Sequence, residues 1–254
     1  MTVSELRYHI PPVFESLPDL VAAESTRHGG VSPAPFASLN VGINTADDPA
    51  NVAENRRRFF SSLGIDSQQV ASSYQVHGDQ ILTVTQPGRF EGYDALITNQ
   101  PNHFLTVTVA DCTPILIYDA GQRAVAAIHA GWRGTVARLV QKTVRAMQEQ
   151  FGTQPEQCFA YIGTCIDRDS FEVGPDVAES FDERYKRFDD ERQKFLVDLK
   201  EANAAQLAAA GIPAGQIGVS PYSTVLHNRD YFSYRAESGN TGRMLALIGL
   251  RSAV

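Results

Sequence analysis

The stretch Phe104–Asp119, FLTVTVADCTPILIYD, decides the fold reading. Phe104, Leu105, Val107 and Val109 precede a break, and Ile115, Leu116 and Ile117 follow it. Runs this apolar and this rich in β-branched residues are strands buried on both faces. The break itself holds a carboxylic acid and a thiol, Asp111 and Cys112, then Thr113 and Pro114. Burying an ionised group without partners costs several kcal/mol. The break is therefore either supplied with partners or forms the wall of a site.

Outward from this stretch, HFLTVTVAD, PILIYD and RAVAAIHA form three strand-like runs in close succession. In GTVARLVQKTVRAMQEQFG, Val136, Leu139, Val140, Val144, Met147 and Phe151 recur at spacings of three and four, which predicts a helix over 134–151 ended by Gly152. Upstream, a helix is expected from Val52 to Leu63 with Gly64 as its stop, and short strands near 70–75, 80–85 and 94–98. Downstream come a strand in CFAYIG, a helix over roughly 175–186, a helix in LKEANAAQLAAAGIP and a closing strand, MLALIGL. The segment STRHGGVSPAPFASLNVGINTADDPANV is dense in Gly, Pro, Ser and Asn, and irregular segments of that length in a compact domain are ordinarily functional or disordered. The pattern predicts a mixed α/β fold, with layered mixed β-sheets, helices packed outside, and one domain over 1–254.

The chain has 254 residues, long enough to bury a substantial core, and a formal charge of −7. That charge argues against a nucleic-acid partner, since a phosphate backbone wants a basic surface. No apolar run reaches the length of a membrane helix, so no membrane partner is expected. The N-terminal MTVSELRYHIPPVF has no basic-then-apolar signal pattern, and the expected location is cytoplasmic. Three cysteines, Cys112, Cys158 and Cys165, do not suggest a disulfide framework in that setting.

If Ala120 and Gly121 form a two-residue hairpin loop, Asp119 pairs with Gln122 and Cys112 falls opposite His129. Directly opposed residues share a face, with Cβ atoms about 4.5–5.5 Å apart. That is close enough to share one metal ion, and a slip of one residue would part them. The bland reading of a buried cysteine is core packing, and of a lone histidine an ordinary hydrogen bond. Their opposition, beside Asp111 and ahead of AGWRG, weighs toward function.

The segments STRHGGVS, SLNVG, ENR, QVHGDQ, DALIT, ADCTPILIYD, AIHAGWRGT, YIGTCI, FEVGPDV and FSYR…TGR, in this order, resemble the laccase-domain family. That family is also called the bacterial polyphenol oxidases or multifunctional purine nucleoside phosphorylases. The resemblance runs from about residue 25 to the C-terminus, and ADC with HAGWRGT is its most specific part. It implies a single α/β domain with a zinc site of two histidines and one cysteine, which by motif are His77 of QVHGDQ, Cys112 of ADCTP and His129 of HAGWRGT. The implied substrates are purine nucleosides and phosphate, with phosphorolysis of adenosine, inosine, guanosine and methylthioadenosine, and deamination of adenosine. Two departures stand out. Ser223 occupies a position where the family often has cysteine, and Thr164 one where proline is common.

Two imidazoles and a thiolate are sound zinc ligands, and three protein ligands leave the open position of a catalytic site. Copper accepts the same donors and can substitute. Cys112, His129 and Asp111 are the catalytic candidates, with Asp111 expected to hold a ligand histidine or a substrate amine. Asp94 has the same two choices or simply ends a turn. For phosphate, Arg133 stands where the 134–151 helix begins, and a helix N-terminus attracts anions. Arg27, Asn40 and Arg56 are further substrate-binding candidates, each weighed against a surface ion pair of little worth. Phe171 is available to stack on a purine. His28 and His103 have no spacing argument and read as surface or capping groups.

Three other readings compete. A multicopper oxidase needs several imidazole-rich sites, and the chain has six histidines with no His-x-His pair. A cysteine hydrolase would use Cys112 as nucleophile and His129 as base, with no need of His77. A zinc-sensing or interaction module would want a closed coordination shell rather than an open one.

Overall fold

The architecture, seen in a computed structural model, is described for residues 7–252; residues 1–6 and 253–254 of the expected 1–254 domain lie outside the described residues. The first strands are β1 (Tyr8–His9) and β2 (Leu20–Ser25), followed by helix α1 (Pro49–Ser62). Next come β3 (Val70–Tyr74), β4 (Ile81–Thr83), β5 (Gly88–Glu91) and β6 (Ala95–Thr98). The central strands are β7 (Phe104–Val109), β8 (Thr113–Asp119) and β9 (Ala124–Ala130), followed by α2 (Trp132–Val136) and α3 (Leu139–Phe151). Then follow β10 (Cys158–Ile162), β11 (Glu172–Val173), α4 (Pro175–Ala178), β12 (Lys186–Asp189), β13 (Lys194–Val197), α5 (Leu199–Ala209), β14 (Ile217–Val219) and β15 (Met244–Leu250).

One six-stranded sheet runs β1-β2-β15-β7-β3-β5 and a second β14-β10-β8-β9-β6-β4; both mix parallel and antiparallel pairs. The break at Asp111–Cys112 is where the chain leaves the first sheet for the second. The period of two divides each strand between two cores. Leu116, Tyr118, Val125 and Ala127 face the other sheet, meeting Leu105, Val107, Ala246 and Ile248. Ile115, Ile117, Ala126 and Ile128 face outward onto Leu139, Val140, Val144 and Met147 of α3. On the far side, Phe59 and Phe60 of α1 cover Phe104, Leu245 and Leu247. The layers are helix, sheet, sheet, helix, which explains why β8 and β9 are buried along their whole length. Truncating a fully enclosed residue such as Leu116 to Ala should cost about 2–5 kcal/mol.

The structure corrects three expectations. The β8–β9 loop has four residues, 120–123: Asp119 pairs with Ala124, and His129 lies opposite Pro114. The reason is local. The Asp119 carboxylate accepts from the N–H groups of Gly121 and Gln122, and Arg123 takes φ 50°, so the aspartate caps a longer turn. A shift of two preserves parity, and Cys112 still projects toward the face that carries His129. The expected 134–151 helix is two helices, broken at Arg138, which adopts φ 58°. The expected 175–186 helix stops at Ala178; Glu183–Tyr185 form a single 3₁₀ turn, and Lys186 begins β12 of a three-stranded sheet, β11-β13-β12. Strand β5, absent from the sequence reading, pairs parallel to β3 at the edge of the first sheet. Among the described residues no helix is long and apolar enough to cross a membrane.

Candidate functional site

The two sheets part at the end of β8 and β9, and the loop 75–78 bridges the gap. Gln75 grips the first sheet: its side chain donates to the Thr108 carbonyl at 2.9 Å and accepts from the Thr108 N–H at 2.9 Å. Asp94, next to the first residue of β6, grips from the second sheet. Its Oδ1 accepts from His77 N at 3.0 Å, and its Oδ2 from Val76 N at 3.2 Å and Gly78 N at 2.7 Å. This holds His77 in a left-handed conformation, φ 58°, that most side chains avoid. Oδ1 also lies 2.8 Å from His129 Nδ1, and His129 N donates to the Asp94 carbonyl at 2.7 Å. One carboxylate thus fixes both histidines, and with His129 Nδ1 engaged, Nε2 is left for another partner.

His77, Cys112 and His129 converge. Their ligand atoms all lie within 4.8 Å of one another, and among the described residues they are the one cluster of His, Cys, Asp or Glu able to hold a metal. The two imidazoles stand nearly perpendicular, with centroids 4.8 Å apart. Cys112 reaches this point because residue 131 is glycine. A methyl at Gly131 would lie 3.0 Å from Cys112 Sγ and 3.3 Å from His77 Cδ2. Burial raises the Cys112 thiol, but the charge of His129 and hydrogen bonds from both histidines outweigh it and bring it down to about 6. Burial likewise lowers His129, while the Cys112 charge and the Asp94 hydrogen bond raise it to about 9. Asp94 is raised by burial, yet the His129 bond and the loop N–H groups hold it below the usual carboxylate range. The site favours a thiolate beside a charged imidazole, and a soft divalent cation satisfies that set as well as a proton does.

The three side chains open onto a cavity of about 490 Å³. Phe171, Tyr74, Tyr234 and Trp132 give it aromatic surface, while Arg243, Arg235, Asn44 and Asp111 give it polar groups. Arg243 donates to the carbonyls of Thr241 and Gly242, each at 2.9 Å, and burial lowers its pKa.

The structure distributes the sequence candidates unevenly. His77, Cys112, His129, Asp111 and Phe171 all line the cavity. Asp111 does not hold a histidine: its Oδ1 accepts from Thr224 Oγ1 at 2.5 Å and its Oδ2 from Arg235 N at 2.7 Å. Asp94 holds the histidine instead. Arg133 is exposed, lies 4.5 Å over the Trp132 ring and is outside the cavity lining, and α2 is too short to carry the expected helix-terminus charge. Arg27 is bound to Glu237 and to the carbonyls of Ala37 and Asn228. Asn40 is fully buried and accepts from the N–H groups of Gly42 and Arg243, so it shapes the wall without touching the cavity. Arg56 lines a different hollow. His28 pairs with Asp230 and His103 with the Pro101 carbonyl. Ser223 bonds Asp167, and Thr164 donates its N–H and hydroxyl to the buried Glu24. Arg243, Tyr234 and Asn44 went unread in the sequence, although Arg243 stands in the TGR motif.

The sequence profile of the family described as multi-copper polyphenol oxidoreductase laccase matches residues 21–251. A purine nucleoside phosphorylase of Deinococcus radiodurans is 42% identical over 232 residues, covering 90% of this chain and 88% of that protein. The purine nucleoside phosphorylase YfiH of Escherichia coli is 36% identical over 246 residues, covering 95% and 98%. The crystal structure of YlmD from Geobacillus stearothermophilus superposes with a TM-score of 0.89 at 34% identity, covering 95% of this chain and 94% of that one. With a family profile spanning both sheets and the His-Cys-His cluster lying inside it, the chain belongs to the laccase-like YfiH family, whose relatives carry the name purine nucleoside phosphorylase.

Proposed function

We propose that this chain is a zinc-dependent purine nucleoside phosphorylase acting on adenosine, inosine, guanosine and methylthioadenosine, with adenosine deamination as a second activity, and that it works in the cytoplasm as one catalytic domain. The observation that carries the reading is the convergence of His77, Cys112 and His129 on a cavity with aromatic walls and a half-buried arginine. In phosphorolysis a phosphate oxygen bonds to the ribose C1′, the C1′–N bond breaks, and the base leaves with the electron pair and takes a proton. Arg243 is suited to the phosphate, since a planar guanidinium matches an oxyanion and its burial strengthens the attraction. Phe171, Tyr74 and Tyr234 are suited to the faces of a purine. Asp111, held by Thr224 and Arg235, presents its remaining acceptor capacity to a substrate amine or hydroxyl. His77, Cys112 and His129 would hold the zinc, which supplies Lewis acidity toward a bound oxygen.

Copper fits the same donors, so weak phenol oxidation is expected of copper-loaded protein. A multicopper centre is not supported, because among the described residues one three-residue cluster is present. A cysteine hydrolase is the second reading, favoured by the Asp94–His129–Cys112 chain of contacts. Metal analysis of freshly purified protein, followed by product analysis with adenosine and phosphate, separates these readings. The expected products are adenine, or hypoxanthine after deamination, with ribose-1-phosphate. Ester or amide hydrolysis that survives metal removal, with no phosphate dependence, would replace the proposal by the hydrolase.

A further inference from the structure

Arg56 belongs to the ENR motif, yet the catalytic cavity does not contain it. It lines a second hollow of about 520 Å³ between α1 and the β3–β5 edge of the first sheet. The walls are Ile43, Pro49, Val52, Phe60 and Val70, with Arg56, Arg57 and Arg89 among them. Arg57 is tied to Glu54 at 2.7 and 2.9 Å. The other two arginines are differently placed. Arg56 donates to the Val41 carbonyl at 3.1 Å and lies 5.2 Å over Phe60, and Arg89 donates to Asn44 Oδ1 at 2.9 Å. Both partners are neutral, and among the described residues no carboxylate pairs with either. Burial and then the charge of Arg89 lower the Arg56 pKa to about 10. Arg56 is partly enclosed and Arg89 is exposed at the rim, so an anion entering the hollow would meet both guanidinium groups.

We propose that this hollow is a second binding site, for a small organic anion whose phosphate or carboxylate is held between Arg56 and Arg89 and whose apolar body lies against Ile43, Val52, Phe60 and Val70. Guanidinium forks match both anions bidentately. The site is separate from the proposed phosphorylase reading, although the two hollows share a wall: Ile43 lines the second, while Gly42 and Asn44 line the first. A ligand that draws Arg89 from Asn44 therefore touches the catalytic cavity from behind.

The test is a two-dimensional amide NMR titration of the full chain with phenyl phosphate, benzoate, inorganic phosphate and benzyl alcohol. Saturable shifts at residues 43, 52–57, 70–72 and 88–89, with phenyl phosphate or benzoate at least tenfold tighter than inorganic phosphate or benzyl alcohol, support the site. Whichever of the two aryl anions binds tighter identifies the anionic group. Arg89→Met, on an exposed edge strand, should raise the dissociation constant about tenfold, the loss of one charge-assisted hydrogen bond. Arg243→Met, in the other cavity, should leave this binding unchanged. Shifts confined to the Trp132 indole and its surroundings, equal affinity in Arg89→Met, equal affinity for benzyl alcohol or inorganic phosphate, or binding by neither aryl anion would each overturn the proposal. None of these outcomes depends on whether the chain phosphorolyses nucleosides.

Discussion

Asp94→Asn keeps the shape of a side chain and removes its charge, and the geometry makes the consequence calculable. Oδ1 receives His77 N and His129 Nδ1, while Oδ2 receives Val76 N and Gly78 N. An amide has one oxygen, so in either orientation its NH₂ faces two groups that the carboxylate accepted from. Each unmet buried donor costs about 1–3 kcal/mol, giving roughly 2–6 kcal/mol for two. The outer side of the loop is exposed at Val76 and His77, so the lower half of that range applies. At 2–4 °C per kcal/mol for a chain of this size, 2–4 kcal/mol should lower the melting temperature of metal-free protein by roughly 4–16 °C. Losing the group that orients a ligand histidine typically costs 10–100-fold in metal affinity. One orientation also turns the amide donor toward His129 Nδ1, shifting that ring's proton to Nε2, the nitrogen needed for the metal. Zinc competition against a chelator, differential scanning calorimetry and phosphorolysis rates check the three effects together. Zinc affinity within twofold of the parent, with an unchanged melting temperature, would refute the reasoning that Asp94 holds both histidines.

Three further outcomes follow from the geometry. Gly131→Ala places a methyl 3.0 Å from Cys112 Sγ, which should weaken zinc binding about tenfold or more, with near-parental stability by calorimetry; parental zinc affinity would show that the thiol yields freely. Glu24 is fully buried and its pKa is raised by burial, only partly offset by hydrogen bonds from Thr164 and Tyr161. The folded state therefore holds its proton to higher pH than the unfolded chain, whose carboxyl titrates near 4.3, so this group's contribution falls as pH rises from there to the raised value. Glu24→Gln, whose amide can donate to Thr164 Oγ1 while accepting from Thr164 N, should be at least as stable at neutral pH and flatten that slope in urea titrations between pH 4 and 8 (a steeper slope would contradict it). Arg243→Met should raise the phosphate KM at least tenfold in steady-state assays with saturating inosine; an unchanged KM would remove Arg243 from phosphate binding.

The sequence by itself determined the central strands, because apolar runs such as ILIY and VAAI can be stable only when covered on both faces. It also named the three residues whose side chains converge as the candidate metal site. Cys112 and His129 were brought to one face by hairpin parity, which survived a loop two residues longer than expected, and His77 was reached only through the family motif. Tertiary structure alone decided what surrounds them. Asp94 meets His129 because β6 pairs with β9, a contact between residues 35 apart that no local periodicity encodes. Arg56 and Arg133 lie outside the His77–Cys112–His129 cavity for a similar reason, since the fold, and not residue type, sets the direction in which an arginine points. Helix 134–151 broke at Arg138 and the 175–186 helix ended at Ala178, short of the 3₁₀ turn Glu183–Tyr185, because packing outweighs intrinsic preferences of a few tenths of a kcal/mol per residue. Chemistry-bearing residues are visible in a chain as types at spacings; the partners that tune them come from distant strands, and only folding chooses those.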